Sequence, residues 1–414
     1  MQPFSKRELK GNESWLDLVV DSMKENEAPE RYFWWSAAAV IASVVGKKIY
    51  LNRFHYKLYP NIYVMLISAR SGLRKGIPIS VAAGLLNEVN CTRVVSGRNS
   101  IQGIIKELST QRTLEGGTIL SDAQGLLLSD EFSSFMVQDP QALTILTGLH
   151  NTHEHQNGWK NTLKGSPVEV LKNPCISLLG ASNEVHFENV VKQIDLEGGF
   201  LGRTFVVYEE KRQRINPLTE APENLVPMNE LAKRLHEVKR LEGEFKWTPR
   251  TKQIYDAWYY KIAQIEYEDR TGSMDRLGDQ ALKVAMLISL SKNDSLELDE
   301  LSLLQAIEKT EACMGGAKRV SLGSGNSEMA KATAKVIREL VKAPDRTIGR
   351  RELLRKVWPD IDAIALDRVI ETLTQSGGVE AFRGRGKEGV VYKMSEKASK
   401  QFTEFLSESM KEMN

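Results

Sequence analysis

Lys75, the adjacent pair Asp130 and Glu131, and Asn183 are residue types that could act together on a chain of phosphates. Lys75 closes the stretch Ile62 to Gly76, where an unbroken apolar run of strand length gives way to small residues, a glycine and the lysine. A buried parallel strand feeds a phosphate-cradling loop in this way. Backbone N–H groups wrap the phosphates, the lysine reaches the β and γ oxygens, and the next helix offers its positive end. Ile77 to Leu86 can supply that helix, and Ser71, Gly72, Arg74, Lys75 and Gly76 form the candidate cradle. The loop departs from G-x-x-x-x-G-K-[ST]: with Lys75 in register, Ala69 takes the first glycine, Arg74 the second, and Gly76 the place of the hydroxyl that meets Mg²⁺. Taken alone, the stretch reads equally as a strand followed by a basic turn.

Downstream residues favour the cradle. Gly125 to Ser129 is a short apolar strand ending in Asp130-Glu131, which suits one carboxylate that orders Mg²⁺ and a neighbour that polarises an attacking water. A buried strand with a solvated acidic pair is the plainer alternative. Cys175 to Asn183 is a third apolar strand ending in an amide able to orient water beside a γ-phosphate. Gly198 to Tyr208 then brings Arg203 to the edge of a further strand, where arginine can neutralise charge on a transferred phosphoryl group, in its own subunit or across an interface. A surface salt bridge is the alternative. Arg276 and Lys283, on a helical pattern, could reach back to a nucleotide or be merely solvated.

The chain that must position these groups has 414 residues, enough for two or three domains, with 41% hydrophobic and 27% charged residues. Its net charge of +2 imposes no global field, so any nucleic-acid surface must be local. Cys91, Cys175 and Cys313 are far apart and lack ligand spacing, which suggests core thiols in a reducing compartment. The first residues are polar and the apolar stretch Tyr32 to Val45 is too short to span a bilayer, so the expectation is a cytoplasmic protein with no membrane partner.

Apolar spacing predicts helices within 13–45, broken at Pro29 and Arg31 to Trp35, with the aromatic cluster more often core than base-stacking surface. A hairpin over Lys48 to Tyr59, a helix from Ser100 to Leu108 and a helix from Leu143 to Leu149 follow, in the helix–strand alternation of an α/β sheet. Asn151 to Gly165 reads as an exposed hairpin whose Lys160 and Lys164 can contact phosphates; His153 and His155 lack a third metal ligand. After a linker over Glu209 to Val226, 228–318 reads as helical, and Ser321 to Ser327 as a flexible joint. Beyond it come helices at Ala330 to Val341, Arg350 to Val357 and Ala363 to Ser376. Val379 to Lys393 follows as a two-stranded wing carrying Arg383, Arg385 and Lys387. Such a module grips DNA phosphates or binds protein, and Asp367, Arg368 and Glu371 are poor base readers.

The order Lys75 loop, Asp130-Glu131, lysine-bearing hairpin, Asn183, Arg203 segment, helical lid and winged helix resembles the AAA+ motor of phage and plasmid primase-helicases, with a layout similar to MCM helicases. The resemblance covers about residues 13–320. It implies an α/β P-loop NTPase core at 51–226 behind an N-terminal helical region at 1–50, a helical lid at 227–320 and a winged helix at 328–414. It further implies ATP and Mg²⁺ as cofactors, with Lys75 on phosphate, Asp130 on Mg²⁺, Glu131 activating water, Asn183 as sensor and Arg203 as a finger for the neighbouring subunit. The expected activity is that of an ATP-dependent DNA helicase or translocase in phage or mobile-element replication. It would work as a homo-oligomeric ring, commonly a hexamer, on single-stranded or forked DNA, with a primase as a candidate partner. Arg74 and Gly76 leave room for a ring-forming module that binds DNA or loads a helicase without hydrolysing ATP, with Ser71 or Ser80 as substitute hydroxyls.

Overall fold

Parallel strands covered on both faces must be apolar throughout, and the central strands of this chain are. The computed structural model describes residues 14–69, 72–97, 99–113, 117, 119–132, 141–151, 158–162, 167–191, 199–217, 225–264, 272–323, 328–358, 361–383 and 389–395. Two compact units, Met1–Lys318 and Arg319–Asn414, divide it. The first unit contains strands β1 (Ile49–Asn52), β2 (Lys57–Leu58), β3 (Tyr63–Ser68), β4 (Arg93–Ser96), β5 (Arg112–Thr113), β6 (Ile119–Leu120) and β7 (Gln124–Ser129). After these come β8 (Trp159–Asn161), β9 (Glu169–Leu171), β10 (Cys175–Asn183), β11 (Thr204–Glu209), β12 (Gly243–Trp247) and β13 (Glu297–Leu298).

The main sheet has five strands in the order β11-β3-β10-β7-β4, all parallel. Every residue of β3 is buried, and so is all of β10 except its last residue, Asn183. Gly125 permits the close approach of β7 to β4: a Cβ there would lie 2.1 Å from Arg93 O. The helix Glu30–Val45, apolar around its whole circumference, packs against β3, β7, β10 and β11. Its neighbour Trp15–Ser22 starts at a capping box made by Ser14 and Asp17. The expected break is narrower than the sequence suggested. It ends at Pro29, and Arg31 to Trp35 lie inside the second helix, because a helix buried on all sides has no polar face to show its period. The aromatic cluster is core: Trp35 stacks on Phe205 at 4.5 Å and Tyr32 donates to Ile67 O at 2.6 Å.

The stretch expected to be wholly helical contains strands. The helices Met228–Val238, Pro249–Ala263, Ser273–Lys292 and Glu300–Gly323 are interrupted by β12 and β13, which join the β1–β2 hairpin in a second sheet of order β13-β12-β1-β2. β13, at two residues, is too short for an alternation to register, whereas β12 does alternate through Glu244, Phe245, Lys246 and Trp247 and was overlooked between the helical patterns that flank it. Residues 321–323 of the expected joint belong instead to a helix that runs to Gly323; residues 324–327 lie outside the described residues.

The second unit has helices Glu328–Lys342, Arg350–Val357 and Ala363–Gln375 with strands β14 (Thr347–Gly349), β15 (Val379–Arg383) and β16 (Val390–Met394). The strands form an antiparallel sheet of order β14-β16-β15. Val336, Leu340, Leu353, Leu366, Val369 and Tyr392 fill its core. Among the described residues no helix is long and apolar enough to cross a membrane.

Candidate functional site

Parallel strands end at a common edge, and three that the sequence singled out are neighbours. β10 lies between β3 and β7. Ser68, the last residue of β3, pairs with Asn183, the last of β10. Ser129 pairs with Gly180, so Asp130 and Glu131 leave β7 within three residues of the level of Asn183. From β3 the chain crosses to the far edge at β4, returns through β7 and β10, and then places β11 on the other side of β3. The reversal falls at β3, and in open α/β sheets the crevice beyond the strand ends at such a point is where ligands bind.

Lys75 stands at this crevice. The chain leaves β3 at Ser68, Ala69 N donates to Glu209 O at 3.1 Å, and the helix Gly76–Val89 begins directly after the lysine. Lys75 Nζ turns back to donate to Ser68 Oγ. Burial pushes the Lys75 pKa below its ordinary value, and the Glu131 carboxylate partly restores it, so these two charges feel each other across the strand ends. The helix carries no acidic residue in its first turn and no side-chain cap at Lys75, which leaves its positive dipole end for an anion, although Ile77 N already donates to Arg74 O at 3.0 Å and Pro78 has no N–H. Ser68 was missed by sequence reasoning, although it is the first polar residue after the apolar run and is fully buried.

Arg74 takes the place of a glycine and also takes a glycine's conformation, with φ of +53°. Its Nε donates to Glu27 Oε2 at 3.1 Å, and Arg212 Nη1 reaches Oε1 of the same carboxylate at 3.1 Å. Arg212 Nε also donates to Gly72 O at 3.1 Å, which straps the loop from outside. Burial works to raise the Glu27 pKa, but hydrogen bonds from Asn216 N and Arg74, with the charges of both arginines, hold it below its ordinary value. The Arg74 guanidinium is thus tied to a carboxylate from the segment between the two N-terminal helices. Nothing in the sequence marked Glu27 or Arg212.

The remaining candidates divide. Asp130 and Glu131 are exposed, as are Gly72, Gly76 and Ser80; Ser71 lies outside the described residues. Asn183 caps the helix Glu184–Val190: its Oδ1 accepts from His186 N at 2.8 Å and its Nδ2 lies 3.2 Å from His186 Nδ1. Lys160 is exposed on β8 and pairs with Val170, so the second arm of its hairpin comes later than expected; Lys164, His153 and His155 lie outside the described residues. Arg383 is exposed at the end of β15, while Arg385 and Lys387 lie outside the described residues.

Arg203 and Arg276 are not with Lys75. Arg203 precedes β11, whose Thr204 pairs with Tyr63 and whose Glu209 pairs with Ser68. The length of the strand, roughly 17 Å, therefore separates Arg203 from the Lys75 edge. Arg203 Nη1 donates to Gly199 O at 2.9 Å and Arg276 Nη1 to Gly272 O at 2.9 Å. A Cβ on Gly199 would lie 2.7 Å from Arg203 Nη1 and 3.3 Å from Arg276 Nη2, so both guanidinia close on this glycine. Lys283 is buried at the same edge, where its Nζ donates to Asn61 O and Oδ1, both at 2.9 Å. Burial pushes its pKa down to about 8. His150, 3.4 Å from Lys283 Nζ, is held well below its ordinary value by burial and by the charges of Lys283, Arg203 and Arg276.

The residues at the Lys75 edge fit a nucleoside triphosphate: an uncapped helix end, a lysine, a hydroxyl and two carboxylates. Among the described residues no three His, Cys, Asp or Glu side chains gather to cage a metal. Mg²⁺ in nucleotide sites is held by one or two carboxylates together with phosphate oxygens, a role open to Asp130. No protein-family model matches this chain, and no curated protein matches it.

Proposed function

We propose that the chain is the ATP-hydrolysing motor of a ring that moves along DNA, of the AAA+ kind used in phage and plasmid primase-helicases. The observation that carries the reading is Lys75, set between the end of β3 and an uncapped helix and sharing its crevice with Glu131. Lys75 and the helix N-terminus bind the β and γ oxygens, and Mg²⁺ held through Asp130 would neutralise phosphate charge. Glu131 accepts a proton from the attacking water, and Asn183 donates through Nδ2 to a phosphate oxygen or that water. Arg203, at the far edge, serves the triphosphate of a neighbouring subunit. The C-terminal unit is read as a winged helix. Asp367 is tied to Arg350 at 2.8 Å, so phosphate contacts fall to Arg383 on the wing and to Arg385 and Lys387 beyond it in sequence.

The test is ATP turnover by the full chain with and without single-stranded DNA. Lys75→Ala is expected to lose nucleotide binding and turnover together. Glu131→Gln is expected to keep binding and lose turnover by about 100-fold or more. Normal turnover in either variant would remove the motor reading. Arg74 and Gly76, at the places of a glycine and a hydroxyl, favour a second reading, a non-hydrolysing ring that binds DNA or loads a helicase. Wild-type protein that assembles on DNA with no turnover would establish it.

A further inference from the structure

The hairpin between β1 and β2 turns through Arg53, Phe54, His55 and Tyr56. Phe54 is 88% exposed and has φ of +63°, a backbone conformation that a bulky side chain rarely adopts. The turn itself does not call for a ring. Asn52 Oδ1 accepts from Phe54 N at 3.0 Å and Tyr56 O accepts from Arg53 N at 2.9 Å, so asparagine or glycine at 54 would close it with less strain. Strain of this kind persists where function needs the side chain.

The tip is also braced from below. Arg53 lies over the Tyr255 ring at 5.5 Å, and the Tyr56 hydroxyl donates to Asp279 Oδ2 at 2.8 Å. The ring of Phe54 meets His55 edge to face at 4.3 Å. Lys57 lies over Tyr50 at 4.9 Å and Lys47 over Tyr59 at 5.3 Å, so cations and rings alternate along the hairpin. From Arg31 through Asn87, both included, the chain has eight lysines and arginines and no aspartate or glutamate. Asp279 is the carboxylate that faces the tip from the helix Ser273–Lys292, and Tyr56 and Arg53 engage it there.

We infer that this tip is a contact for single-stranded nucleic acid, with Phe54 as the surface on which a base stacks and the hairpin cations as its phosphate partners. An exposed, pre-set ring among cations is what sequence-tolerant binding of unpaired bases requires, because every base has a π-face and every linker a charge. A second copy of the chain is the less suited occupant, since it would have to desolvate His55 and the lysine heads around one ring. The inference takes from the motor reading only its choice of polymer.

Fluorescence anisotropy with a labelled oligothymidylate, on the full chain without ATP, separates the two claims, because binding is read where no turnover occurs. Phe54→Asn is expected to weaken binding about tenfold while the melting temperature stays level or rises. Phe54→Trp is expected to keep the affinity. Lys57→Ala is expected to flatten the dependence of affinity on salt. Unchanged affinity in Phe54→Asn overturns the inference. So does an equal loss on blunt duplex, or a change of oligomeric state in that variant without DNA, which would make the tip an interface between copies. Failure of the Lys75 and Glu131 variants to affect turnover would leave these outcomes untouched.

Discussion

The two edges of the main sheet each hold a lysine whose pKa burial lowers, and they use it in opposite ways. At the edge where the strands end, Lys75 is half-buried, turns to a serine hydroxyl and feels the Glu131 carboxylate across an open crevice. At the edge where they begin, Lys283 is only 5% exposed and is satisfied by the backbone and amide of Asn61. The first arrangement leaves positive potential for an incoming anion, whereas the second consumes it inside the fold. Arg203 and Arg276 lie at the same starting edge, closed on Gly199 and tied to the Gly199 and Gly272 carbonyls. On the proposed motor reading, Lys75 at one edge and Arg203 and Arg276 at the other would meet one triphosphate only across neighbouring chains.

That arrangement breaks or survives on a mixing experiment, the largest effect expected. Arg203→Ala is expected to lower turnover by about 10³-fold, as loss of a phosphoryl-stabilising arginine does elsewhere. Lys75→Ala is expected to be inactive too. A mixture of the two inactive proteins should recover part of the activity, because an Arg203 from one chain can face an intact Lys75 in another. A mixture as inactive as its parts, with assembly unchanged, would place both residues in one site and undo the contrast between the edges.

The buried lysine supplies the next test, through stability rather than turnover. Lys283→Met leaves two acceptors of Asn61 without a donor, a cost of about 1–3 kcal/mol at neutral pH. The sign of the pH dependence is particular. With its pKa lowered to about 8, the folded protein sheds the proton before the unfolded chain does. Stability should therefore rise as pH goes from about 8 toward the ordinary lysine range near 10.4. The Lys283→Met variant should lack that rise when both are unfolded by urea across the same interval. His150 runs in the other window: its lowered pKa keeps it neutral in the fold, so the stability it contributes is lost as pH falls below about 6.5. Equal slopes for wild type and Lys283→Met above pH 8 would show that the lysine is not held in a dry site.

These contrasts were unequally legible in the sequence, for physical reasons. The strand ends at Ser68, Ser129 and Asn183 could be found because a doubly covered strand is a continuous apolar run and its end is where polar residues begin. Which strands are neighbours has no local signature, yet the acidic pair and the amide pointed to a common edge. β13 was hidden by its brevity, β12 by the helical patterns on either side of it, and the start of the helix Glu30–Val45 by its lack of a polar face. Lys283 reads as a solvated helix residue until the Asn61 carbonyl is seen beneath it. The Glu27 bridge joins residues 185 positions apart in the case of Arg212, a distance over which no spacing rule operates. Arg276 was grouped with the nucleotide because its charge was visible while the edge it occupies was not.

The smallest expected effect sharpens the open edge, where Arg74 departs from the usual glycine. A left-handed arginine is strained, and the Glu27 carboxylate is what holds its side chain, so the two residues should act as one unit. Glu27→Gln is expected to lower stability modestly at neutral pH. Because the Glu27 pKa is lowered in the fold, that contribution is present above the ordinary carboxylate pKa and disappears as pH falls through the folded value. Wild type and Glu27→Gln should therefore converge in acid. In an Arg74→Gly background the backbone strain and one arm of the bridge are both gone, and Glu27→Gln should cost less than it does in wild type, a non-additivity that a double-mutant cycle reads directly. Strict additivity would mean that Glu27 serves Arg212 and the strap over Gly72 alone, and that the loop tolerates Arg74 without help.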